Sequence, residues 1–277
     1  NHGLTAAEIA EAIELPPDIS RQWHTRDYYG TVKHNAKAIY QHYLGWYDAN
    51  PANLDPLPAI EAAKKAVAYT GGIDAAVARG EVDFAAGECR IGAQVMSQAV
   101  FADPGHAKAR ALLADTFEQL GYLAESSTWR NAYLFGAHEL RHGMPSLPTR
   151  TPVSPDTMAA LRTSQLFDSL AIRLNGPKAF GRRIVIDWTL PDTHEVAAMT
   201  LEHATLNHVM GRHAASPDAR ITLSRADLNE LLTGQSTLQA GIETGRINVT
   251  GDIAKVGDLF AMIDPNARMF EIVEPRK

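Results

Sequence analysis

The sequence lacks the features that mark several broad classes of protein. Its 277 residues include one cysteine, Cys89, which forbids an internal disulfide and any four-cysteine zinc site. No apolar run approaches the roughly 20 residues of a membrane-spanning helix, so we expect no membrane span. Positive charge is scarce too: 26 Lys and Arg stand against 32 Asp and Glu, a net charge of −6. This balance argues against nucleic acid as a partner.

The remaining composition is that of a globular protein. Apolar residues make up 45% and charged residues 21% of the chain, and this length can bury the cores of two domains. The chain opens at Asn1–His2–Gly3 without a methionine or a signal-like segment. We therefore expect a portion of a longer protein.

The first half has a helical pattern. Apolar residues recur at spacings of three and four, which predicts an all-helical domain over residues 1–143. Thr5 and Glu8 have capping-box spacing, and Asp18 is predicted to cap a long second helix that extends to about Tyr47. Small and apolar residues repeat over 80–142 in a way that resembles tetratricopeptide helix pairs.

A proline-rich stretch separates this half from one with a different pattern. Residues 144–156 have the composition of a linker. Residues 157–277 are predicted to form an α+β domain, which makes the chain α+β overall. It would hold a helix over 158–174 and about five strands, near 184–190, 197–201, 205–212, 219–223 and 245–249.

His138-Glu139-Leu140-Arg141-His142 matches the H-E-x-x-H pattern. On a helix the two histidines could bind zinc while Glu139 activates a water. Pro145 and Pro148 stand where the extended pattern has glycine and histidine, so a third ligand is missing. We favour polar residues at a helix C-terminus and keep a zinc peptidase as an alternative.

Two further groups could bind a ligand. Within 23–35, Arg26, His24 and Tyr29 could donate hydrogen bonds to an oxyanion, or they could belong to an ordinary amphipathic helix. In the second half, large apolar side chains could enclose an apolar channel or simply fill a core. The candidates are Trp188, Met199, Leu206, Met210, Leu231, Phe260 and Met262.

Longer segments carry a family resemblance. The stretch Arg26-Asp27-Tyr28-Tyr29-Gly30-Thr31-Val32-Lys33-His34-Asn35, together with 101–104, 112–115, 118–122, 129–131 and 139–143, resembles the helical dimerisation domain of zinc-dependent alkyl sulfatases of the metallo-β-lactamase superfamily. Segments 219–224 and 245–252 resemble the sterol-carrier-protein fold that closes those enzymes.

The resemblance implies a function and a missing part. The family hydrolyses alkyl sulfate esters such as dodecyl sulfate with two zinc ions, but its H-x-H-x-D-H metal motif is absent here. The resemblance therefore implies no catalytic or metal residue in this portion, with the zinc ions expected in a missing N-terminal metallo-β-lactamase-fold domain. It also implies a homodimer, a long-chain alkyl ligand, sulfate-side roles for Arg26, Tyr29, His24 and His34, and a periplasmic or secreted location.

These observations leave three functional hypotheses. The first is a non-catalytic portion of an alkyl sulfatase that dimerises the enzyme and helps receive the alkyl chain. The second is a stand-alone dimeric carrier of lipid or fatty ligands. The third is the zinc peptidase centred on His138 and His142.

Overall fold

The computed structural model describes residues 3–145, 155–265 and 269–276, which fall into two compact units. The first unit is helical and consists of the N-terminal half together with the C-terminal residues from Met269 onward. The second unit lies between them. Most of the predicted linker, residues 146–154, lies outside the described residues.

The first unit begins with short helices and continues with longer ones. Thr5 caps the first helix with the predicted capping box to Glu8. The helices are α1 Ala6–Ala12, α2 Pro17–Ser20, α3 Val32–Leu44, α4 Ala59–Tyr69, α5 Ile73–Ala85, α6 Cys89–Ala102, α7 Ala107–Leu123 and α8 Ser127–His142, with single 3-10 turns at Trp23–Thr25 and Pro51–Asn53.

The predicted long helix from Asp18 to about Tyr47 is wrong. Asp18 lies in the one-turn helix α2, and from there to Thr31 the chain is irregular apart from the 3-10 turn at Trp23–Thr25. The Thr31 hydroxyl accepts a hydrogen bond from the His34 amide at 2.8 Å, and this cap starts α3 at Val32. Gly45, at φ 82°, ends the helix.

Helices α5 to α8 pack on one another in sequence, as the predicted helix pairs require. The connections at 103–106 and 124–126 are short, which makes consecutive helices neighbours. Their shared core contains Val77, Met96, Leu113, Ala137 and Leu140. Small residues allow the close approach: a Cβ at Gly121 would lie 2.9 Å from Leu134.

The second unit is an α+β domain around one five-stranded sheet, as predicted. Its strands are β1 Ile184–Leu190, β2 Glu195–Glu202, β3 Thr205–Met210, β4 Ala219–Thr222 and β5 Asn248–Gly251, in the order β3-β2-β1-β4-β5. Only the β1–β4 pair is parallel. The helices are α9 Pro155–Ala160, α10 Thr163–Ile172, α11 Gly176–Ala179, α12 Arg225–Thr233, α13 Leu238–Glu243 and α14 Ile253–Ala261.

Two predicted elements of this unit differ in extent. The helix expected over 158–174 is interrupted, because Arg162 is extended and its amide donates to the Gln165 side chain at 2.9 Å as α10 begins. The fifth strand starts at Asn248 and not at Gly245, because Gly245 adopts φ 71° in the turn after α13.

The sequence predicts a C-terminal domain over 157–277, whereas the described residues 269–276 group with the helical unit. Residues 269–276 pack with the helical unit because Glu139 of α8 accepts hydrogen bonds from the amides of Ile272 (2.8 Å) and Val273 (3.0 Å). Among the helices of the described ranges, none has both the length and the apolar character needed to cross a bilayer.

Candidate functional site

The four predicted sulfate-side residues lie in the segment that precedes and begins α3, and most of this segment contacts the start of α8. The Tyr29 carbonyl accepts hydrogen bonds from the hydroxyls of Ser126 (2.7 Å) and Thr128 (2.8 Å). The Ser127 amide donates to the Tyr28 carbonyl at 2.8 Å. These bonds fix the backbone of 28–29 while the side chain of Tyr29 stays exposed.

The side chains of Arg26 and His34 also reach this helix start. The Arg26 guanidinium pairs with Glu125, with Nε 2.7 Å from the carboxylate oxygen Oε1. The Trp129 indole donates to Nδ1 of His34 at 3.2 Å. The structure thus brings Arg26, Tyr29 and His34 to one stretch of five residues, 125–129.

His24 is placed differently. It lies in the 3-10 turn, and its ring meets the edge of Trp23 with ring centroids 5.9 Å apart. The roles of Arg26, Tyr29, His24 and His34 toward a sulfate group stay a prediction. The ion pair with Glu125 means that an oxyanion would have to compete with a carboxylate for Arg26.

Sequence reasoning missed the residues that hold this segment. Glu125, Ser126, Thr128 and Trp129 contact residues 95 to 99 positions away along the chain. No local periodicity reports such a contact. The one available signal was that 129–131 and 26–35 both carry the family resemblance.

The H-E-x-x-H segment ends α8, and its glutamate has a structural role. The Glu139 side chain is fully buried, and its Oε1 holds the amides of Ile272 and Val273, so it does not face a metal-bound water. His138 and His142 are exposed, with ring centroids 4.8 Å apart.

A metal centre also requires further ligands, which the structure does not supply near these histidines. Within 3–145, 155–265 and 269–276, no three His, Cys, Asp or Glu side chains come together as a metal-binding group. The zinc peptidase alternative is therefore wrong, because neither its general base nor its third ligand is in place.

The seven apolar candidates all belong to the core of the second unit. Trp188, Met199, Leu206 and Met262 are buried, and Met210, Leu231 and Phe260 are partly buried against them. The sheet register explains part of this grouping: Trp188 pairs with Ala197, which in turn pairs with Met210. The side chains lie together, and an open channel among them stays a prediction.

Both halves of the chain match known protein families. The family described as alkyl sulfatase dimerisation matches residues 5–143, and the family described as alkyl sulfatase C-terminal matches residues 151–275. The chain belongs to the alkyl sulfatase family. The resemblance to alkyl sulfatases is thereby confirmed, and the description of the first family supports self-association.

Similar proteins cover nearly all of this alkyl sulfatase chain. Alkyl/aryl-sulfatase BDS1 of Saccharomyces cerevisiae is 46% identical over 99% of the chain, and an (R)-specific secondary-alkylsulfatase of Pseudomonas sp. is 40% identical over 99%. The chain spans 42% and 41% of these two proteins, about two fifths of their length.

A solved structure confirms the fold of this portion. The stereoselective inverting sec-alkylsulfatase Pisa1 from Pseudomonas sp. aligns with a TM-score of 0.92 at 39% identity. The alignment covers 99% of this chain and 43% of that protein. The chain therefore shares the fold of the matching portion of that protein.

Proposed function

We propose that this chain is the non-catalytic portion of an alkyl sulfatase that hydrolyses alkyl sulfate esters, such as dodecyl sulfate, to an alcohol and sulfate. One observation carries the proposal: 99% of the chain aligns with the inverting sec-alkylsulfatase at a TM-score of 0.92. Relatives named as alkylsulfatases agree. In this proposal the chain dimerises the enzyme and helps receive the alkyl chain.

Catalysis would be carried by a second part of the enzyme. The sequence has no H-x-H-x-D-H motif, so two zinc ions would be held by an N-terminal metallo-β-lactamase-fold domain. The relatives are more than twice as long as this chain, which leaves room for such a domain. A periplasmic or secreted location belongs to the same proposal.

The coding region upstream of Asn1 provides the direct test. An H-x-H-x-D-H motif there, and hydrolysis of decyl or dodecyl sulfate by the longer polypeptide but not by the 277-residue chain, is the expected result. A start codon immediately upstream would contradict the proposal. It would leave the dimeric lipid carrier as the better hypothesis.

Dimerisation would bury a surface that the helical unit leaves open. Between Ile19 and Tyr69, twelve large hydrophobic side chains are exposed, and we infer that they form an interaction surface. We call this set the aromatic surface; it consists of Ile19, Trp23, Tyr28, Tyr29, Ile39, Tyr43, Leu44, Trp46, Leu54, Leu57, Ile60 and Tyr69. Its proposed occupant is the same surface of a second copy.

Receipt of the alkyl chain would use the partly buried members of the apolar group. Met210 on β3 points to the core side of the sheet, whereas its neighbour Val209 is 43% exposed. We expect Met210→Asp to weaken displacement of a fluorescent fatty acid, while Val209→Asp leaves it unchanged. Equal displacement by both folded variants would argue against an alkyl channel in this unit.

A further inference from the structure

The helical unit contains a cleft outside the four predicted sulfate-side residues. Its volume is about 560 Å³, within the range typical of small-molecule sites. It lies between the end of α1, the polar side of α3, the start of α6 and the first turns of α8. The side chains that matter are Glu11, Lys33, Lys37, Arg90, Trp129 and Tyr133.

Three cations line this cleft, and one carboxylate serves two of them. Glu11 accepts from Lys33 at 2.7 Å and from Arg90 at 2.9 Å. These hydrogen bonds, first that of Lys33 and then that of Arg90, lower the pKa of Glu11 below its ordinary value. Glu88 is the other carboxylate in the lining, so the cleft holds one positive charge in excess.

Lys37 is the third cation of the cleft, and unlike Lys33 and Arg90 it does not pair with Glu11. Its ammonium lies 5.9 Å from the centroid of the Trp129 ring, a cation–π distance. In the part of the chain that the structure describes, no carboxylate forms an ion pair with Lys37. An incoming anion would therefore meet a charge that no acidic side chain already neutralises.

One part of the cleft wall is apolar. Leu120 and Leu123 from the end of α7 line it together with the rings of Trp129 and Tyr133. Leu123 is 77% exposed, which leaves an apolar side chain in water. A small inorganic anion would satisfy the cations but would leave this wall uncovered.

We propose that the cleft binds a single anionic amphiphile, with its head group at Lys37 and Arg90 and its alkyl chain along Leu120, Leu123 and Trp129. The proposal rests on the proposed function for its substrate class, since alkyl sulfates have this chemistry. It adds a binding site in the dimerisation half, separate from the apolar core of the second unit.

Decane-1-sulfonate, which has no ester bond to hydrolyse, is the probe. Calorimetry on the 277-residue chain below the micelle concentration should show a site that Lys37→Gln weakens about tenfold, because one charge-assisted contact is lost. Glu11→Gln should tighten the same site, because Lys33 and Arg90 are then released. Lys64→Gln, on the exposed side of α4, is the matched control and should bind as the parent does.

The proposal requires that Lys37→Gln and Glu11→Gln change the affinity for decane-1-sulfonate in opposite directions. Equal affinity in Lys37→Gln, Glu11→Gln and the parent would overturn the proposal, and so would inorganic sulfate binding as tightly as the sulfonate. If Met210→Asp alone abolishes sulfonate binding, the cleft is not a site. The alkyl sulfatase function would survive that result, because it depends on the upstream motif and on hydrolysis.

Discussion

At the residue scale, two glycines show how the same substitution can have opposite effects. Gly251, at the end of β5, has φ 88°, and a Cβ there would lie 2.6 Å from the Asp218 carbonyl oxygen. That carbonyl also accepts from the Asp252 amide at 2.8 Å, so it cannot move freely. Gly257, inside α14, has no atom within 4 Å of an added Cβ.

We predict that Gly251→Ala destabilises the second unit by about 2–4 kcal/mol, through backbone strain and a contact with fixed backbone. Gly257→Ala should be neutral or stabilise by about 0.5–1 kcal/mol, since alanine favours a helix interior. Urea unfolding of both variants measures the difference. An unchanged free energy of unfolding in Gly251→Ala would show that the end of β5 tolerates a side chain.

A second residue-scale prediction concerns the arginine of the H-E-x-x-H segment. Arg141 donates to Glu118 at 2.9 Å and to Asp115 at 2.7 Å, which joins α8 to α7. The hydrogen bond from Arg141, followed by that from the Tyr122 hydroxyl, lowers the pKa of Glu118. The folded protein therefore binds this proton less readily than the unfolded chain.

The ordinary pKa of a glutamate is 4.5, and the stabilisation from Glu118 is fully present at a pH above that value. It is lost as the pH falls through the lowered pKa of the folded protein. We expect Arg141→Gln to reduce the free energy of unfolding at pH 7 slightly, with the difference from the parent shrinking between about pH 5 and pH 3. Urea titrations at these pH values measure it, with Lys65→Gln as control. A difference independent of pH would contradict the assignment.

The candidate site illustrates what residue-scale reasoning from the sequence can reach. Arg26 and Tyr29 were identifiable because oxyanion-binding side chains cluster in 23–35. Their contacts were not, because Glu125 and Ser126 approach them from 97 to 99 positions away. Proximity of this kind depends on how the segment before α3 meets the start of α8, and that contact is not encoded in either segment alone.

At the element scale, the C-terminal segment 269–276 completes the helical unit. Arg110 of α7 pairs with the buried Glu274 at 2.5 Å and donates to the Leu140 carbonyl at 2.8 Å. Glu139 binds two amides of the same segment. Two side chains, those of Arg110 and Glu139, would lose these partners if the segment were absent.

We predict that removing residues 269–277 destabilises the helical unit by about 3–5 kcal/mol, because unpaired charges would remain in its interior. Hydrogen exchange should quicken in α7 and α8 and stay unchanged in β1 and β2. A chain ending at Pro275 keeps the Glu274 and Glu139 contacts and should match the parent. Unchanged exchange in α8 after the longer deletion would show that the segment is dispensable.

Most elements were predictable, and the exceptions share a cause. Strands β1 to β4 follow from alternating apolar residues, and α12 has a serine N-cap and a glycine C-cap, Ser224 and Gly234, the residue types that typically mark helix ends. The long helix was predicted because apolar residues in 18–47 have helical spacing. In the structure Thr31 caps a new helix that begins at Val32. The grouping of residues 269–276 with the helical unit was not predictable from the sequence, because their partners lie 133 to 164 positions away.

At the scale of the whole molecule, the proposed ligand site and the proposed dimer interface use different sides of α3. Lys33 and Lys37, four residues apart, line the cleft, whereas Ile39 and Tyr43, also four apart, belong to the aromatic surface. A dimer formed through the aromatic surface would thus use a different side of α3 from the proposed amphiphile site. Dimerisation and ligand binding can then be tested separately.

The dimer prediction follows from this division. Tyr43 is 78% exposed on α3 and would become buried against a second copy. We predict that Tyr43→Asp gives a monomer at micromolar concentration by light scattering while the parent is a dimer, because an unpaired carboxylate is costly in a dry interface. Phe180→Asp is the matched control, since Phe180 is 83% exposed in the second unit, and it should remain a dimer. A dimeric Tyr43→Asp variant beside a monomeric Phe180→Asp variant would move the interface to the C-terminal unit, and the exposed aromatics of the helical unit would then need another partner.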